Sequence, residues 1–111
     1  MSTLRNRVQL IGNLGNDPEI INLESGKKLA KFSLATNDSY INKKGDRVTN
    51  TEWHNIIAWG KTAEIVENYL NKGKEVIVVG KLTYNQYENE KGEKKYFTQI
   101  QVNELQMLGG K

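Results

Sequence analysis

The sequence predicts an all-β protein, namely a five-stranded Greek-key barrel with one α-helix between its third and fourth strands. Short segments that alternate apolar and polar residues recur along the chain, as half-buried strands do. A single segment, after the third main strand, has apolar residues at helical spacing. Five short strands are too few for a large sandwich, and closing them into a barrel would remove exposed edges. A mostly open antiparallel sheet backed by one helix is the alternative.

The first predicted strand covers residues 4–14. Its inward phase consists of aliphatic residues, namely Leu4, Val8, Leu10 and Leu14. Arg5 and Arg7 fall in the other phase and give the strand a basic polar face. Gly12 lies in the apolar phase and indicates a bend or a close approach of another backbone. A Gly-Asn-Asp-Pro turn then ends the strand.

The next two strands are separated by a turn. Residues 19–23 are predicted to be a short strand arm, and residues 29–36 alternate again, with Phe32 among the inward side chains. Residues 37–50 have the polar composition of a long hairpin loop, with its turn at Gly45.

Residues 51–60 form the third main strand and hold both tryptophans of the chain, Trp53 and Trp59. Because strand side chains alternate between faces, the two indoles share one face and lie roughly 20 Å apart along it. Ile56 and Ala58 lie on the other face. The indoles are either core, because large aromatics supply much buried area, or an exposed platform on which flat ligands stack. This stretch alone favours the core interpretation, and the rest of the chain has to decide between the two.

Residues 62–72 carry the helix signal, with Thr62 as the predicted N-cap and Gly73 as the C-terminal cap. The apolar stripe of this helix consists of Ala63, Ile65, Val66, Tyr69 and Leu70. Residues 74–82 are apolar on both faces, which is typical of a central strand. Residues 83–103 are predicted to be a hairpin with its turn at a Lys-Gly dipeptide.

This order of elements describes the oligonucleotide/oligosaccharide-binding (OB) fold, and we expect residues 1–111 to form one such domain. The 16 Lys and Arg against 13 Asp and Glu give a net charge of +3, which permits a polyanionic partner without requiring one. The absence of cysteine excludes disulfides and agrees with a cytoplasmic location. No apolar segment approaches the ~18 residues of a membrane span, so no membrane partner is expected.

The sequence offers no constellation for catalysis. His54 is the only histidine, and a lone histidine on a strand is more often structural or part of an interface than catalytic. It has no second nitrogen or sulfur ligand for a metal site, and no Glu-rich motif offers an oxygen cage. Gly12 and Gly15 have neither the spacing nor the lysine of a phosphate-binding loop. We therefore predict a non-enzymatic protein with no metal and no cofactor.

Aromatic residues with cations close to them recur on the segments that would line one groove. The aromatics are Tyr40, Trp53, Trp59, Tyr84, Tyr87 and Tyr96, and the cations near them are Lys43, Lys44, Arg47, Lys61, Lys81, Lys94 and Lys95. Stacking a base on an aromatic face contributes about 1–3 kcal/mol, and cations add a salt-dependent phosphate term. Cross-strand packing explains any single tyrosine as well, but the whole set on this fold favours binding of single-stranded nucleic acid.

Four separated blocks of the chain are distinctive. They are RNRVQLIGNLGNDPE at residues 5–19, LAKFSLAT at 29–36, TEWHNIIAWGKTAEIVENYLNKG at 51–73 and LQMLGG at 105–110. In this order they resemble the bacterial single-stranded DNA-binding protein family over nearly the full length of the chain. Four matches in the correct order are more specific than any single motif.

The resemblance implies a homotetramer of such barrels that wraps single-stranded DNA without sequence preference in replication, repair and recombination. It also implies a cytoplasmic, nucleoid-associated location. The stacking aromatics of the family fall at Tyr40, Trp53, Trp59 and Tyr87, and its backbone-contacting cations fall at Arg7, Lys61 and Lys72. The subunit interface of the family falls at Asn6, Val8 and Leu10, where first strands pair between subunits, and at His54.

Together, the residues and the resemblance predict a DNA interface of stacking and phosphate-contacting side chains. The predicted stacking residues are Tyr40, Trp53, Trp59, Tyr84 and Tyr87. The predicted phosphate contacts are Arg5, Arg7, Lys31, Lys43, Lys44, Arg47, Lys61 and Lys72.

The chain departs from the family pattern at three places. Asn55 stands where a basic residue is frequent, and Thr83, Asn85 and Gln86 replace positive charges, which implies fewer phosphate contacts and a shallower salt dependence. Tyr84 is expected to add a compensating stack. The third departure is the absence of the linker and acidic tip that follow the core in the family, so the sequence is either a core-only fragment or a naturally short member. Replication and repair proteins are candidate partners, although the tip that recruits them is not in this sequence.

Two alternatives remain open at the level of the sequence. One is a related binding module on the same fold, either a dimeric primosome-assembly protein or an RNA-binding barrel. The other is a protein-interaction scaffold whose aromatics are all core, in which Trp53→Ala would unfold the protein.

Overall fold

The computed structural model describes residues 4–108 and shows a closed, mixed β-barrel with one helix. Its elements in chain order are β1 (Val8–Leu14), β2 (Glu19–Asn22), β3 (Lys28–Ile41), β4 (Arg47–Trp59), α1 (Gly60–Tyr69), β5 (Glu75–Glu88) and β6 (Lys94–Met107). The predicted order of five main strands, a short arm and one helix is confirmed. Among residues 4–108, no helix is both long enough and apolar enough to cross a membrane.

A short seam between β1 and β3 closes the sheet into a barrel. The strands are ordered β1-β5-β6-β4-β3-β2, and β1 also pairs with β3 at Asn13–Ala35 and Leu14–Leu34. Gly12 permits this approach, because a Cβ on it would lie 3.0 Å from the carbonyl carbon of Ala35 and closer still to the oxygen. The predicted close backbone approach at Gly12 is confirmed, and the alternative of an open sheet is wrong.

The hydrophobic core lies inside the barrel and beneath α1. Its buried cluster consists of Leu14, Ala30, Phe32, Leu34, Ile56, Ala58, Ala63, Val66, Leu70, Val76, Val78, Ile100 and Val102. Phe32 is the one aromatic residue of this cluster. The core is therefore filled by aliphatic side chains from the five main strands and the helix, without either tryptophan.

The helix begins two residues earlier than the sequence predicts. It starts at Gly60, and its N-cap is Trp59, which has extended backbone angles and no side-chain capping hydrogen bond. Thr62 as the N-cap is therefore wrong, since it lies within the first turn. The reason is that β4 runs directly into α1 without a loop, and Gly60, with φ of +62°, makes the bend that a side-chain cap would otherwise stabilise.

The helix also ends earlier than predicted, at Tyr69. Leu70 is the C-cap, and its N–H donates to the Val66 carbonyl at 3.0 Å. Gly73 as the cap is wrong. It lies in the following turn with φ of +91°, and its N–H donates to the Leu14 carbonyl at 2.8 Å.

An ion pair between Lys28 and Glu67 ties the start of β3 to α1. The hydrogen bond that Lys28 donates to Glu67 raises the pKa of Lys28 above its ordinary value of 10.5. The Lys28 side chain is thus engaged by the helix.

Two long hairpins extend from the barrel, and the first of them differs from the sequence prediction. Residues 37–50 were expected to form a loop, but β3 continues to Ile41 and β4 starts at Arg47, which leaves residues 42–46 as the turn. Both faces of these strand extensions are exposed, so the apolar alternation that marks a strand disappears and the composition looks like that of a loop.

The turns at the tips of the two hairpins are built alike. The Asn42 side-chain oxygen accepts hydrogen bonds from the backbone N–H groups two and four residues further on, at 2.9 and 3.0 Å. Asn89 accepts the equivalent bonds at 2.9 Å each. A glycine with positive φ follows three residues after each asparagine, Gly45 at 85° and Gly92 at 81°. Side-chain hydrogen bonds therefore hold both tips in one defined turn.

Candidate nucleic-acid interface

A groove opens on the outer surface where the β3–β4 and β5–β6 hairpins diverge. β4 and β6 pair in parallel only at Ile56–Ile100 and Ile57–Gln101 in the described part of the chain. One section of the groove has a volume of about 620 Å³, and an overlapping section has about 480 Å³. The side chains that line both sections are Lys31, Ile57, Tyr87, Phe97 and Gln99. We call this feature, with its two sections, the central groove.

The two tryptophans lie on the groove face of β4. Trp53 is 61% exposed and Trp59 is 39% exposed, whereas Ile56 and Ala58 on the opposite face are 1% and 0% exposed. Trp59 lines the central groove. The interpretation in which the indoles are exposed and the other face is core is therefore confirmed. Ile57 lies on the tryptophan face but is only 8% exposed, since it forms the floor between the hairpins.

Tyr87 and Phe97 form an aromatic pair in the opposite wall of the groove. Their ring centroids are 5.9 Å apart with an interplanar angle of 58°. Phe97 was not among the predicted site residues. Tyr87 pairs with Lys95 and Asn85 pairs with Phe97, so the two aromatic residues are diagonal neighbours on one face. Counting residues outward from the predicted turn would have found this pair in the sequence.

Tyr40 and Tyr84 lie on the reverse faces of the two hairpins. In the β3–β4 register Tyr40 is opposite Val48, and by alternation it shares the face of His54, not that of Trp53. Tyr84 lies opposite Thr98. Further along the same two strands, the face that carries Tyr84 points into the core. Both rings are exposed, but neither lines the central groove. Their stacking role stays a prediction.

All of the predicted phosphate-contacting cations are exposed. Lys31 lines the groove itself, and it is the only one of them that does. Lys43, Lys44 and Arg47 lie at or beside the tip of the β3–β4 hairpin, which forms one wall of the groove. The remaining four lie on other elements: Lys61 is in the first turn of α1, Lys72 follows the helix, and Arg5 and Arg7 precede β1.

Uncharged polar side chains occupy the wall where the family often has cations. Thr83, Asn85 and Gln86 line the second section of the groove. The Asn85 amide donates to the side chain of Gln99 at 2.7 Å, and the Thr83 hydroxyl donates to the Gln99 carbonyl at 3.2 Å. These three side chains therefore offer hydrogen-bonding groups and no positive charge.

The residues predicted for a subunit interface lie around β1 and on the reverse face of β4. The Asn6 side chain makes two hydrogen bonds of 3.0 Å with the backbone of Leu82, one donated and one accepted. Val8 and Leu10 are half-buried and pack against the core of their own barrel. His54 is also half-buried, and its Nε2 lies 3.0 Å from the Thr36 hydroxyl.

An apolar patch that the sequence did not assign covers the outside of the barrel at β1 and β5. Ile11 is 49% exposed and lies opposite Ile77, and Val79 lies next along the same face of β5. Ile77 is half-buried and Val79 is only 8% exposed, and neither belongs to the buried core cluster. The sequence signal for this patch is that residues 74–82 are apolar on both faces, since one face packs in the core and the other contributes to the patch. We call Ile11, Ile77 and Val79 the outer patch.

The groove has the geometry of a binding surface, since it is open and lined by aromatic and polar side chains. Within residues 4–108, no group of three or more His, Asp or Glu residues is placed to hold a metal ion. A closed five-stranded barrel with an open, aromatic groove between two hairpins defines the class of OB-fold binding proteins, whose strand face and loops bind oligonucleotides or oligosaccharides.

Comparison with known proteins identifies the family. Residues 5–108 match the model of the single-strand binding protein family, and the chain belongs to this family. Single-stranded DNA-binding protein 1 of Chlorobaculum tepidum is 45% identical over 107 residues, which are 96% of this chain and 66% of that protein. The single-stranded DNA-binding protein of Xanthomonas campestris is 43% identical over 106 residues, 96% of this chain and 62% of that protein. The chain thus spans just under two thirds of the length of these relatives.

A solved structure supports the same assignment. The Plasmodium falciparum SSB in complex with ssDNA superposes with a TM-score of 0.86 at 30% identity, covering 97% of this chain and 98% of that one. The OB fold predicted from the sequence is confirmed, and so is the family resemblance. This is a family of binding proteins and not of enzymes, as the sequence predicts for this chain.

Proposed function

We propose that this protein binds single-stranded DNA without sequence preference along the central groove. Bases stack on Trp53, Trp59 and Tyr87, and nearby cations neutralise phosphates. The observation that carries the proposal is that both indoles are exposed on one groove face although the core is complete without them. The relatives named as single-stranded DNA-binding proteins and the solved relative in complex with ssDNA support it.

The groove favours a single strand over a duplex. Stacking requires bases whose faces are free, and a duplex hides them. Duplex recognition usually places a helix or ribbon in a DNA groove. The one helix among the described residues, α1, packs Ala63 and Val66 against the barrel and has no basic residue in its last turn. The aromatic walls, not the helix, are therefore the binding surface.

The charge distribution supports binding that weakens with salt. Lys31 is placed to meet a phosphate within the groove, and Lys43, Lys44 and Arg47 carry positive charge to the tip of the β3–β4 hairpin. Because Thr83, Asn85 and Gln86 are uncharged, we expect the strand to be held there by hydrogen bonds and by stacking on Tyr87. Tyr40 and Tyr84 can be reached only by DNA that passes around a hairpin, so their contributions are expected to be smaller.

We further propose that the protein acts as a homotetramer, in the cytoplasm, where it coats single-stranded DNA during replication, repair and recombination. Two features support assembly. β1 pairs with β5 from Val8 to Asn13 but with β3 only at Asn13 and Leu14, so within the described chain its second edge has no partner strand from Val8 to Gly12. Such an edge is a template for pairing with the β1 of another copy.

The outer patch supports a second contact between copies. Ile11 is exposed and the neighbouring Ile77 is half-buried, so these two residues supply most of the apolar surface on the outside of the β1–β5 sheet, and Val79 adds little. A pair formed through β1 would join the outer patches of two copies into one larger apolar face. Two such pairs would then pack with their apolar faces against one another, and this gives an assembly of four chains.

Oligothymidine titration tests the proposed function. Binding at low salt should strongly quench tryptophan fluorescence, and Trp53→Ala should weaken binding about tenfold or more with little loss of stability. Tyr69→Ala is the matched control, since Tyr69 is also 61% exposed but lies on α1 outside the groove. Unchanged emission together with no retarded band on a gel would exclude the proposal.

The three alternative functions make different predictions about this molecule. A scaffold whose aromatics are all core disagrees with the exposed fractions of Trp53 and Trp59. An RNA-binding barrel would use the same stacking surface, so competition between oligothymidine and oligouridine tests the choice of sugar. A dimeric assembly protein is tested by light scattering, where a stable dimer would contradict the tetramer.

A further inference from the structure

The aromatic pair in the wall of the central groove consists of one exposed residue, Tyr87, and one half-buried residue, Phe97. Tyr87 is 55% exposed and lies two residues before the turn at Asn89. Phe97 is half-buried on the neighbouring strand, and its ring meets Tyr87 at 5.9 Å and 58°. This tilted arrangement is one that aromatic pairs prefer.

Phe97 lies beside a hydrogen-bonded pair of side chains. Its cross-strand partner is Asn85, whose amide donates to the Gln99 side chain at 2.7 Å. Asn85, Phe97 and Gln99 are on one face of the hairpin and all line the groove. Because Phe97 is half-buried next to this pair, its ring has less freedom than the exposed ring of Tyr87, which near a hairpin tip would otherwise sample several side-chain rotamers.

We propose that Phe97 is a positioning residue that holds the Tyr87 ring in the orientation in which a base stacks on it, an inference that rests on the proposed function. A ring that is already oriented loses less side-chain entropy when a base binds, which strengthens the stack. Phe97 thus contributes to affinity through Tyr87.

A double-mutant cycle on oligothymidine binding tests this inference. Phe97→Ala should weaken binding about fivefold, Tyr87→Ala about tenfold, and the double variant no more than Tyr87→Ala alone. Phe97→Tyr, which keeps the ring, should restore binding to within about twofold of the wild type. Phe97→Leu keeps apolar volume without a ring; it should fold normally and still show the loss, which separates positioning from stability.

Tyr69→Ala is the matched control. Tyr69 is 61% exposed and lies on α1 outside the groove, so its removal should leave affinity unchanged. Equal losses for Tyr69→Ala and Phe97→Ala, or a Phe97→Ala loss that persists in the Tyr87→Ala background, would overturn the inference while leaving the proposed function intact. A wild-type protein that does not bind, or a Tyr87→Ala variant that binds normally, would instead refute the proposed stacking and the inference with it.

Discussion

The six-membered ring of Trp53 rests against the backbone of Gly15. A Cβ on Gly15 would stand 2.9 Å from Cη2 of Trp53 and closer still to Cζ3, and it would also lie 3.0 Å from the Ser33 hydroxyl. The turn after β1 therefore supports the ring of the most exposed tryptophan, and the orientation of that ring depends on the absence of a side chain at position 15.

We expect Gly15→Ala to displace Trp53 while leaving the barrel folded. The added methyl would occupy the space of a side chain and not of a backbone, so the indole can move away at moderate cost. The wavelength of tryptophan emission should shift, and oligothymidine affinity should fall about three- to tenfold. Emission and affinity both equal to those of the wild type would contradict the role assigned to this contact.

Gly12→Ala should have a different result, since the same added methyl meets backbone there. Its Cβ would lie 3.0 Å from the carbonyl carbon of Ala35, across the seam that closes the barrel. We expect a loss of about 1–3 kcal/mol in the free energy of unfolding, measured by denaturant titration. A variant as stable as the wild type would show that the β1–β3 seam can open without cost.

Lys31→Ala should make DNA binding less dependent on salt and should leave the stability of the protein nearly unchanged. If Lys31 neutralises one phosphate, the slope of log affinity against log salt should become shallower by about 0.7. Lys28→Ala is the control, because Lys28 is on the same strand but pairs with Glu67 and does not line the groove. An unchanged slope in Lys31→Ala, or an equal change in both variants, would show that Lys31 does not neutralise a phosphate.

Ile11→Glu should break the proposed tetramer into smaller species. It places a charge in the centre of the outer patch, where burial against another copy would be costly. Ile11 is 49% exposed, so the barrel itself should stay folded by circular dichroism. Light scattering should then show a fall from four times the 12.6 kDa chain mass, with Tyr69→Glu as the surface control. If the Ile11→Glu variant is still a tetramer, the outer patch is not the contact between pairs of copies.

The barrel and its closure could be predicted because most of the main strands alternate where they cross the core, and residues 74–82 are apolar on both faces, as in a central strand. The alternation of residues 29–36 and 51–60 carries that information, since one face must be apolar. The long hairpins could not be predicted as strands, because Tyr40 and Asp38 are exposed on one face while Ile41 is exposed on the other. With no buried face, composition was the only signal, and it favoured a loop.

The candidate site could be predicted in part for a related reason. Alternation assigns Trp53 and Trp59 to one face, and the order of elements, the neighbouring cations and the family resemblance together favour the platform over the core. Tyr84 and Tyr87 are three residues apart on β5, so alternation also places them on opposite faces. Which of these two faces lines the groove follows only from the pairing of β5 with β6. The helix start was missed because a strand that turns directly into a helix at Gly60 needs no capping residue.

The matched turns at Asn42 and Asn89 have a consequence for how the molecule could vary in size. Each wall of the groove ends in a self-contained five-residue unit whose hydrogen bonds do not involve the barrel. Adding one residue pair to both strands of a hairpin would preserve register and facing while moving the unit about 3.3 Å outward. The length of the groove walls is therefore adjustable without changing a single core residue.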